Sequence, residues 1–234
     1  FLRETLVPTL DYAERVAPHI AHAPADIDRA MRWGFGWEMG PFELRGAADP
    51  PLTLIGLARA AGVVRRNAGA SLVDIGDGVL CLEFHSKMNA IGGDTIEMIQ
   101  AGVAEASANF TALVVANDAV NFSAGANLML LLLEAQEENW DEVDAMIRAF
   151  QGATMALRLS AVPVVAAPAG LTLGGGCEIA LHADRVQAAA EAYIGLVEAG
   201  VGLIPAGGGT KEMLARAMES LPEGADPLPA VQRV

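Results

Sequence analysis

The residues of this sequence best suited to chemistry are two glutamates set in glycine-rich backbone. Glu178 follows three consecutive glycines in "PVVAAPAGLTLGGGCEIALHAD", residues 163–184, where an apolar strand gives way to helical spacing. Glycines between a buried strand and a helix leave backbone N–H groups unobstructed over the helix N-terminus, and such a turn stabilises negative charge. Phosphate is one such anion, but the spacing fails: Ile179 stands where Gly-x-Gly-x-x-Gly needs its last glycine, and "GGGTK" at 207–211 lacks the P-loop spacing. Nor is there a Gly-x-Ser-x-Gly elbow for a serine nucleophile. The other candidate is an anion that forms during reaction, such as the enolate oxygen of a thioester. An oxyanion hole takes two donors, and losing one costs about 2.7–4 kcal/mol. A second glycine-flanked turn, "NFSAGANL" at 121–128, directly follows the apolar "LVVAN" at 113–117. Glu198 lies in "GLVEAGVGLIPAGGGT" at 195–210, which is too apolar for a solvated charged face. Two carboxylates beside such a hole can hold one water, one accepting its proton and one delivering a proton to carbon. On residue type alone, Glu178 serves equally as a first-turn acid favoured by the helix dipole.

The elements that must position these groups alternate between strand and helix. "SLVDIGDGVLCLEF" reads as two strands joined by Gly76-Asp77-Gly78, and "NAIGGDTIEMIQAGVAEASA" has helical spacing. "TALVVAN" is a short buried strand, and "LMLLLLEAQEENWDEVDAMIRAFQGATMALRL" is long enough for one broken or two successive helices. "VPVVAAPAGLTL" is strand again, with a helix predicted from about Gly176 to His182. This order predicts an α/β fold with a largely parallel sheet. Residues 1–45 read as helical instead, through "TLDYAERVAPHI" and "ADIDRAMRWGFG", and the Pro/Gly/Ala-rich stretch 46–70 reads as a linker.

Composition narrows the function. With 234 residues, 53% hydrophobic and 5% aromatic, the chain is globular and rich in small apolar residues. A net charge of −14 argues against a nucleic-acid surface, which needs clustered cations. Cys81 and Cys177 form no ligand or disulfide pattern and read as small buried residues in a reducing, cytoplasmic compartment. His19 and His22 lack the neighbouring carboxylates or thiols of a metal site, and none is expected. No apolar run reaches the length of a membrane span. The start at Phe1, without Met or a signal-peptide layout, suggests a piece of a longer protein.

"NFSAGANL", "AGLTLGGGCEIALHAD" and "GLVEAGVGLIPAGGGT", in this order, resemble the crotonase (enoyl-CoA hydratase/isomerase) superfamily, and "HSKMNAIGGDTIEMI" at 85–99 is similar to its early CoA-contacting segment. The resemblance covers roughly residues 71–214. It implies a crotonase-like spiral of ββα units, with Ala124 and Gly175 N–H groups as the oxyanion hole and Glu178 and Glu198 as the catalytic pair. It also implies substrate contacts from Lys87, Met88, Asn89, Ala90, Ser123, Gly125, Ala126, Asn127 and Gly174. Retention of both glutamates favours hydration of a trans-2-enoyl-CoA over double-bond isomerisation on the same scaffold. A non-catalytic acyl-CoA-binding or assembly fragment is the remaining alternative. Arg65, Arg66 and Lys87 are weaker candidates for CoA phosphates. The family often has Asp where Asn127 stands, and the segment from 127 to 144 is longer and more apolar than usual. Residues 25–44 resemble the C-terminal helical domain of 3-hydroxyacyl-CoA dehydrogenases. The resulting expectation is a dehydrogenase remnant at 1–45, a linker at 46–70 and a crotonase-like domain at 71–234 lacking the family's C-terminal helices, as in bifunctional fatty-acid oxidation proteins. NAD would then belong to an absent dehydrogenase portion. A homo-oligomer, or packing against the rest of its own chain, is the expected assembly.

Overall fold

The computed structural model of the chain describes residues 2–37, 39–46, 62–219 and 221–232. The chain separates into two compact units, Phe1–Gly56 and Leu57–Val234.

The first unit is helical. α1 (Leu2–Ile20), α2 (Pro24–Phe35) and α3 (Pro41–Arg45) bring Ala13, Ala17 and Phe42 into a small buried cluster, with Ile27 packed against it. Proline opens α2 and α3, where its missing N–H costs nothing, and Gly36 ends α2 in the left-handed conformation. Buried Asp28 accepts the Phe42 N–H at 2.8 Å, fixing α3 against α2. Arg45 pairs with Asp11 and Glu14 on α1.

The second unit is built on a six-stranded sheet and a separate two-stranded pair. β1 (Val63–Arg66), β2 (Ala70–Asp74) and β3 (Val79–Phe84) pair antiparallel in succession. β3, β4 (Ala112–Ala116), β5 (Val164–Ala167) and β7 (Arg185–Val186) are parallel neighbours. β6 (Leu171–Leu173) and β8 (Tyr193–Gly195) are also parallel. The helices are α4 (Gly93–Asn109), α5 (Leu128–Gln136), α6 (Trp140–Arg158), α7 (Gly175–Leu181), α8 (Gly209–Glu219) and α9 (Leu228–Val231).

Period-two burial along β4 turns Leu113 and Val115 inward, opposite Leu80 and Leu82 of β3. α4 covers β2, β3 and β4 through Met98 and Ile99, and it also packs against α6. Phe122, at the head of the second glycine turn, meets Phe84 edge-on with centroids 6.0 Å apart.

The sheet begins earlier than the sequence suggested. Residues 63–66, expected within a linker, form β1, and residues 47–61 of that stretch lie outside the described residues. "VVRR" is exposed at every position, so the strand is held by backbone pairing to β2 and leaves no burial pattern to read. The segment from Val162 to Leu173 contains two strands rather than one, broken at Pro168-Ala169-Gly170. The 128–159 segment forms two helices, broken at residues 137–139.

Candidate active site

The first glycine turn joins β6 to α7. Gly174 caps α7 with φ +52° and ψ −122°, a conformation that a side chain would strain, and its N–H donates to the Gly195 carbonyl at 2.9 Å. A Cβ on Gly176 would lie 2.7 Å from the Ser123 Cβ, so the second turn presses directly against this backbone. The Gly175 N–H, buried in the first turn of α7, meets no acceptor among the described residues.

The second turn is stitched to β6. Ser123 N–H donates to Leu171 O at 3.0 Å, and Leu173 N–H donates to Ser123 O at 2.9 Å. A Cβ on Gly125 would sit 3.5 Å from Gly175 N, which places the two turns face to face. Ser123 Oγ donates to the Asn89 carbonyl at 2.7 Å and accepts the Gly125 N–H at 3.0 Å. Asn89 Nδ2 donates to Asn121 O, so buried Asn89 and Ser123 lace this corner together.

One expected donor is not open. The Ala124 N–H donates to the Met88 carbonyl at 3.1 Å, whereas the sequence reading left it free. Met88 and Asn89 hold φ values of +58° and +49°, uncommon for residues with side chains, and this turn is what carries the Met88 carbonyl to Ala124.

The two glutamates come together behind the first turn. Glu178 is 2% exposed, and its Oε1 accepts the Gly209 N–H at 2.9 Å. Burial pushes its carboxyl above the usual glutamate range; the hydrogen bond from Gly209 opposes this, the charge of Glu198 adds to it, and a bond from Gly207 opposes it again. Glu198 opens a short 3-10 turn, Glu198–Val201. Its Oε1 lies 3.2 Å from where a Cβ on Gly174 would stand, and its Oε2 is buried without a hydrogen-bond partner among the described residues. Cys177 feels both carboxylates, but burial is the chief reason its thiol is pushed up to about 11.

The remaining candidates divide. Lys87 and Met88 are exposed, Ala90 is half-buried, and Ala126 and Asn127 are exposed beside Gly125. Asn127 N–H donates to Ile91 O at 3.0 Å and precedes α5. No residue of α5 is buried, and Leu128, Met129, Leu130, Leu132 and Leu133 are all exposed. Arg65 pairs with Glu97, and Arg66 sits on exposed β1 facing Ser71. Among the described residues, no group of three or more His, Cys, Asp or Glu could hold a metal.

Several groups around Glu178 escaped the sequence reading. The turn Gly207-Gly208-Gly209, first noticed as a failed phosphate loop, supplies the N–H groups that hold the carboxylate. Gln151 Nε2 and Thr154 Oγ1 of α6 donate to the Ala206 and Gly207 carbonyls at 2.8 and 2.9 Å and fasten the other side of that turn. Phe150 packs within 3.1 Å of where a Cβ on Gly175 would lie. Helical spacing gave a sign of the last three, because residues 150, 151 and 154 share one face of α6.

The family described as Enoyl-CoA hydratase/isomerase matches residues 74–220. A Bacillus subtilis protein named probable 3-hydroxyacyl-CoA dehydrogenase is 42% identical over 96% of this chain and 35% of its own length. A Rickettsia felis protein described as a fatty acid oxidation complex trifunctional enzyme is 29% identical over 88% of this chain and 33% of its own. The chain therefore spans about a third of these relatives. The crystal structure of an enoyl-CoA hydratase from a Polaromonas species superimposes with a TM-score of 0.57 and 27% identity, covering 69% of this chain and 59% of the other.

Proposed function

The chain belongs to the enoyl-CoA hydratase/isomerase family and has the crotonase fold, and on that premise we propose that it adds water to a trans-2-enoyl-CoA to give the 3-hydroxyacyl-CoA. The observation that carries this reading is the convergence of Glu178 and Glu198 behind the Gly174-Gly175 turn. An isomerase needs one group to carry a proton between two carbons, whereas water addition uses two groups around one water.

In this reading the thioester oxygen takes the Gly175 N–H and, once Met88 releases it, the Ala124 N–H. The glutamate pair holds water against C3. The water oxygen forms a bond to C3 as its proton passes to one carboxylate. The electrons of the C2–C3 double bond move toward the thioester oxygen, and a proton delivered to C2 restores the carbonyl. Acid and base are assigned to the pair and not to either glutamate separately. The names of the relatives support a place in fatty-acid oxidation. A dehydrogenase portion using NAD, with residues 1–45 as part of it, and a cytoplasmic setting complete the proposal. Among the described residues, no helix is long and apolar enough to cross a membrane.

The test is the loss of enoyl-thioester absorbance with crotonyl-CoA, compared between the unaltered chain and Glu198→Gln, with product analysis of a 3-enoyl-CoA in parallel. Hydration that disappears in Glu198→Gln supports the reading. Conversion of the 3-enoyl-CoA without hydration of crotonyl-CoA makes the chain an isomerase. Acyl-CoA binding without either conversion makes it a binding module.

A further inference from the structure

We propose that His182 is a positioning residue for Glu178: together with Glu212 and Lys211 it supports the Gly207-Gly208-Gly209 turn, whose N–H groups hold the Glu178 carboxylate. The proposal rests on the functional reading above for its consequence in catalysis, but not for its structural content.

His182 stands four residues after Glu178, at the C-terminal end of α7, and is fully buried. Its Nδ1 lies 2.7 Å from the Glu178 backbone carbonyl. A carbonyl only accepts, so Nδ1 carries the proton and Nε2 keeps its lone pair. That lone pair faces Lys211 Nζ at 3.4 Å, and Glu212 Oε1 lies 3.7 Å away. The ring also lies directly against the glycine turn, because a Cβ on Gly208 would be 3.1 Å from Nε2 and 3.2 Å from Cε1. Glu178 is thus fixed at both ends by groups that meet at one turn: its carboxylate by Gly209, and its backbone carbonyl by the ring that packs on Gly208.

Glu212 anchors the far side. It is 2% exposed on α8, accepts from Lys211 at 2.6 Å and faces Arg158 of α6 at 3.4 Å. Its Oε2, the oxygen that faces Arg158, has no hydrogen-bond partner among the described residues. Burying charges costs desolvation that the pairing only partly returns, so stability alone is a poor reason for this cluster. What the cluster does join is α6, α7 and α8, the three helices that meet around Glu178.

The groups facing His182 are the Glu178 carbonyl on its own helix, Lys211 and Glu212 on α8 and Arg158 on α6. Burial lowers its proton affinity; the Glu178 carbonyl and Glu212 oppose that, and the charges of Lys211 and Arg158 add to it, so the ring is neutral at neutral pH. Those facing the Glu178 carboxylate are Glu198 and the N–H groups of Gly207 and Gly209. The two N–H groups favour the ionised carboxylate, so a slack turn leaves burial and Glu198 less opposed and moves the titration of Glu178 to higher pH.

The experiment follows the Glu178 carboxyl by 13C NMR across pH in the full chain, identified by its loss in Glu178→Gln. His182→Phe keeps the bulk of the ring without its nitrogens, His182→Gln returns a polar group toward the turn, and Glu212→Gln removes the anchoring charge. Expected are an upward displacement in His182→Phe and Glu212→Gln, and a return toward the original value in His182→Gln. With crotonyl-CoA, kcat should fall about tenfold at unchanged KM, a fraction of the roughly 10²–10⁴ that acid–base groups contribute. The acid limb of kcat/KM should rise with the titration. An unmoved Glu178 titration in variants with an intact fold by circular dichroism overturns the proposal. Should His182→Phe not fold, Glu212→Gln decides by the same titration. Absence of hydration in the unaltered chain would count against the hydratase reading alone, since the NMR arm needs no turnover.

Discussion

Replacing Glu178 separates what this residue does for the fold from what it does for the reaction. In Glu178→Gln the shape is kept, and the amide oxygen can still accept the Gly209 N–H now held at 2.9 Å. The charge is lost, and one of the two acceptor oxygens becomes an NH2 that donates instead. Burial raises the carboxyl above its ordinary range, so between that range and its folded value the native chain binds more protons than the unfolded one. Stability therefore falls as pH rises through this window, and the full cost of a buried charge is present above it. Glu178→Gln escapes that cost, so its Tm at pH 8 should equal or exceed that of the unaltered chain, and its Tm should depend less on pH. Glu178→Ala behaves oppositely: it leaves the Gly209 and Gly207 N–H groups unpaired, each at about 1–3 kcal/mol when buried, and adds a cavity.

Activity should not follow this order. Under the proposed hydration both variants lose a member of the acid–base pair, so kcat for crotonyl-CoA should fall by roughly 10²–10⁴ in each. That corresponds to about 2.7–5.4 kcal/mol of transition-state stabilisation. The assay pairs steady-state hydration with thermal unfolding at pH 5 and pH 8. Turnover by Glu178→Gln within about threefold of the original, less than 1 kcal/mol, would refute the catalytic assignment. A Gln variant less stable than the Ala variant would refute the account of the backbone cradle.

Three further outcomes can be measured. Gly174→Ala imposes a left-handed conformation costing on the order of 1–3 kcal/mol and brings a Cβ to 3.2 Å from Glu198 Oε1; both Tm and kcat should fall, and an unchanged kcat would separate Glu198 from the chemistry. Cys81 and Cys177 are 0% and 4% exposed, with thiols pushed up chiefly by burial to about 12 and about 11. An alkylating reagent at pH 8 should leave both untouched in the folded chain and label both in denaturant, and rapid labelling of the native protein would contradict their packing. Phe122→Ala removes a ring that is 1% exposed against Phe84 and should cost about 3–5 kcal/mol by urea unfolding, with a loss of activity as well, because Phe122 precedes Ser123.

The parts of this molecule that were legible in the sequence are those in which one local pattern decides the structure. β2, β3, β4 and α4 carry apolar periodicity and a glycine turn, and both glycine turns of the candidate site declare themselves as glycines behind strands. β1 was misread because its exposed "VVRR" is defined by a neighbouring backbone rather than by burial. β7 and β8, of two and three residues, are too short to show any period. The Met88 carbonyl on Ala124 was invisible for another reason: it depends on two left-handed residues, Met88 and Asn89, and although Asn tolerates a positive φ, nothing in the type of Met88 marks one. The cradle of Glu178 joins residues 31 apart, so the glycines at 207–209 could be seen in the sequence but their purpose could not.

Glu178 and Glu198 are chemically the same group in different settings, and the difference bears on how the pair could work. Glu178 is filled: backbone N–H groups of Gly209 and Gly207 address its carboxylate, and its burial leaves no room for reorientation. Glu198, beside Gly174, keeps one buried oxygen without a hydrogen-bond partner among the described residues. The neighbouring Gly175 N–H is a donor without an acceptor among the described residues. An unfilled acceptor and an unfilled donor on either side of one glycine peptide are costly to bury, each at about 1–3 kcal/mol, unless something else completes them. Under the proposed hydration the water and the thioester oxygen do so. The strain at Gly174 is then the backbone geometry that turns the Gly175 N–H toward the substrate while leaving space for the Glu198 carboxylate. Any residue with a side chain at position 174 would close the second of these gaps.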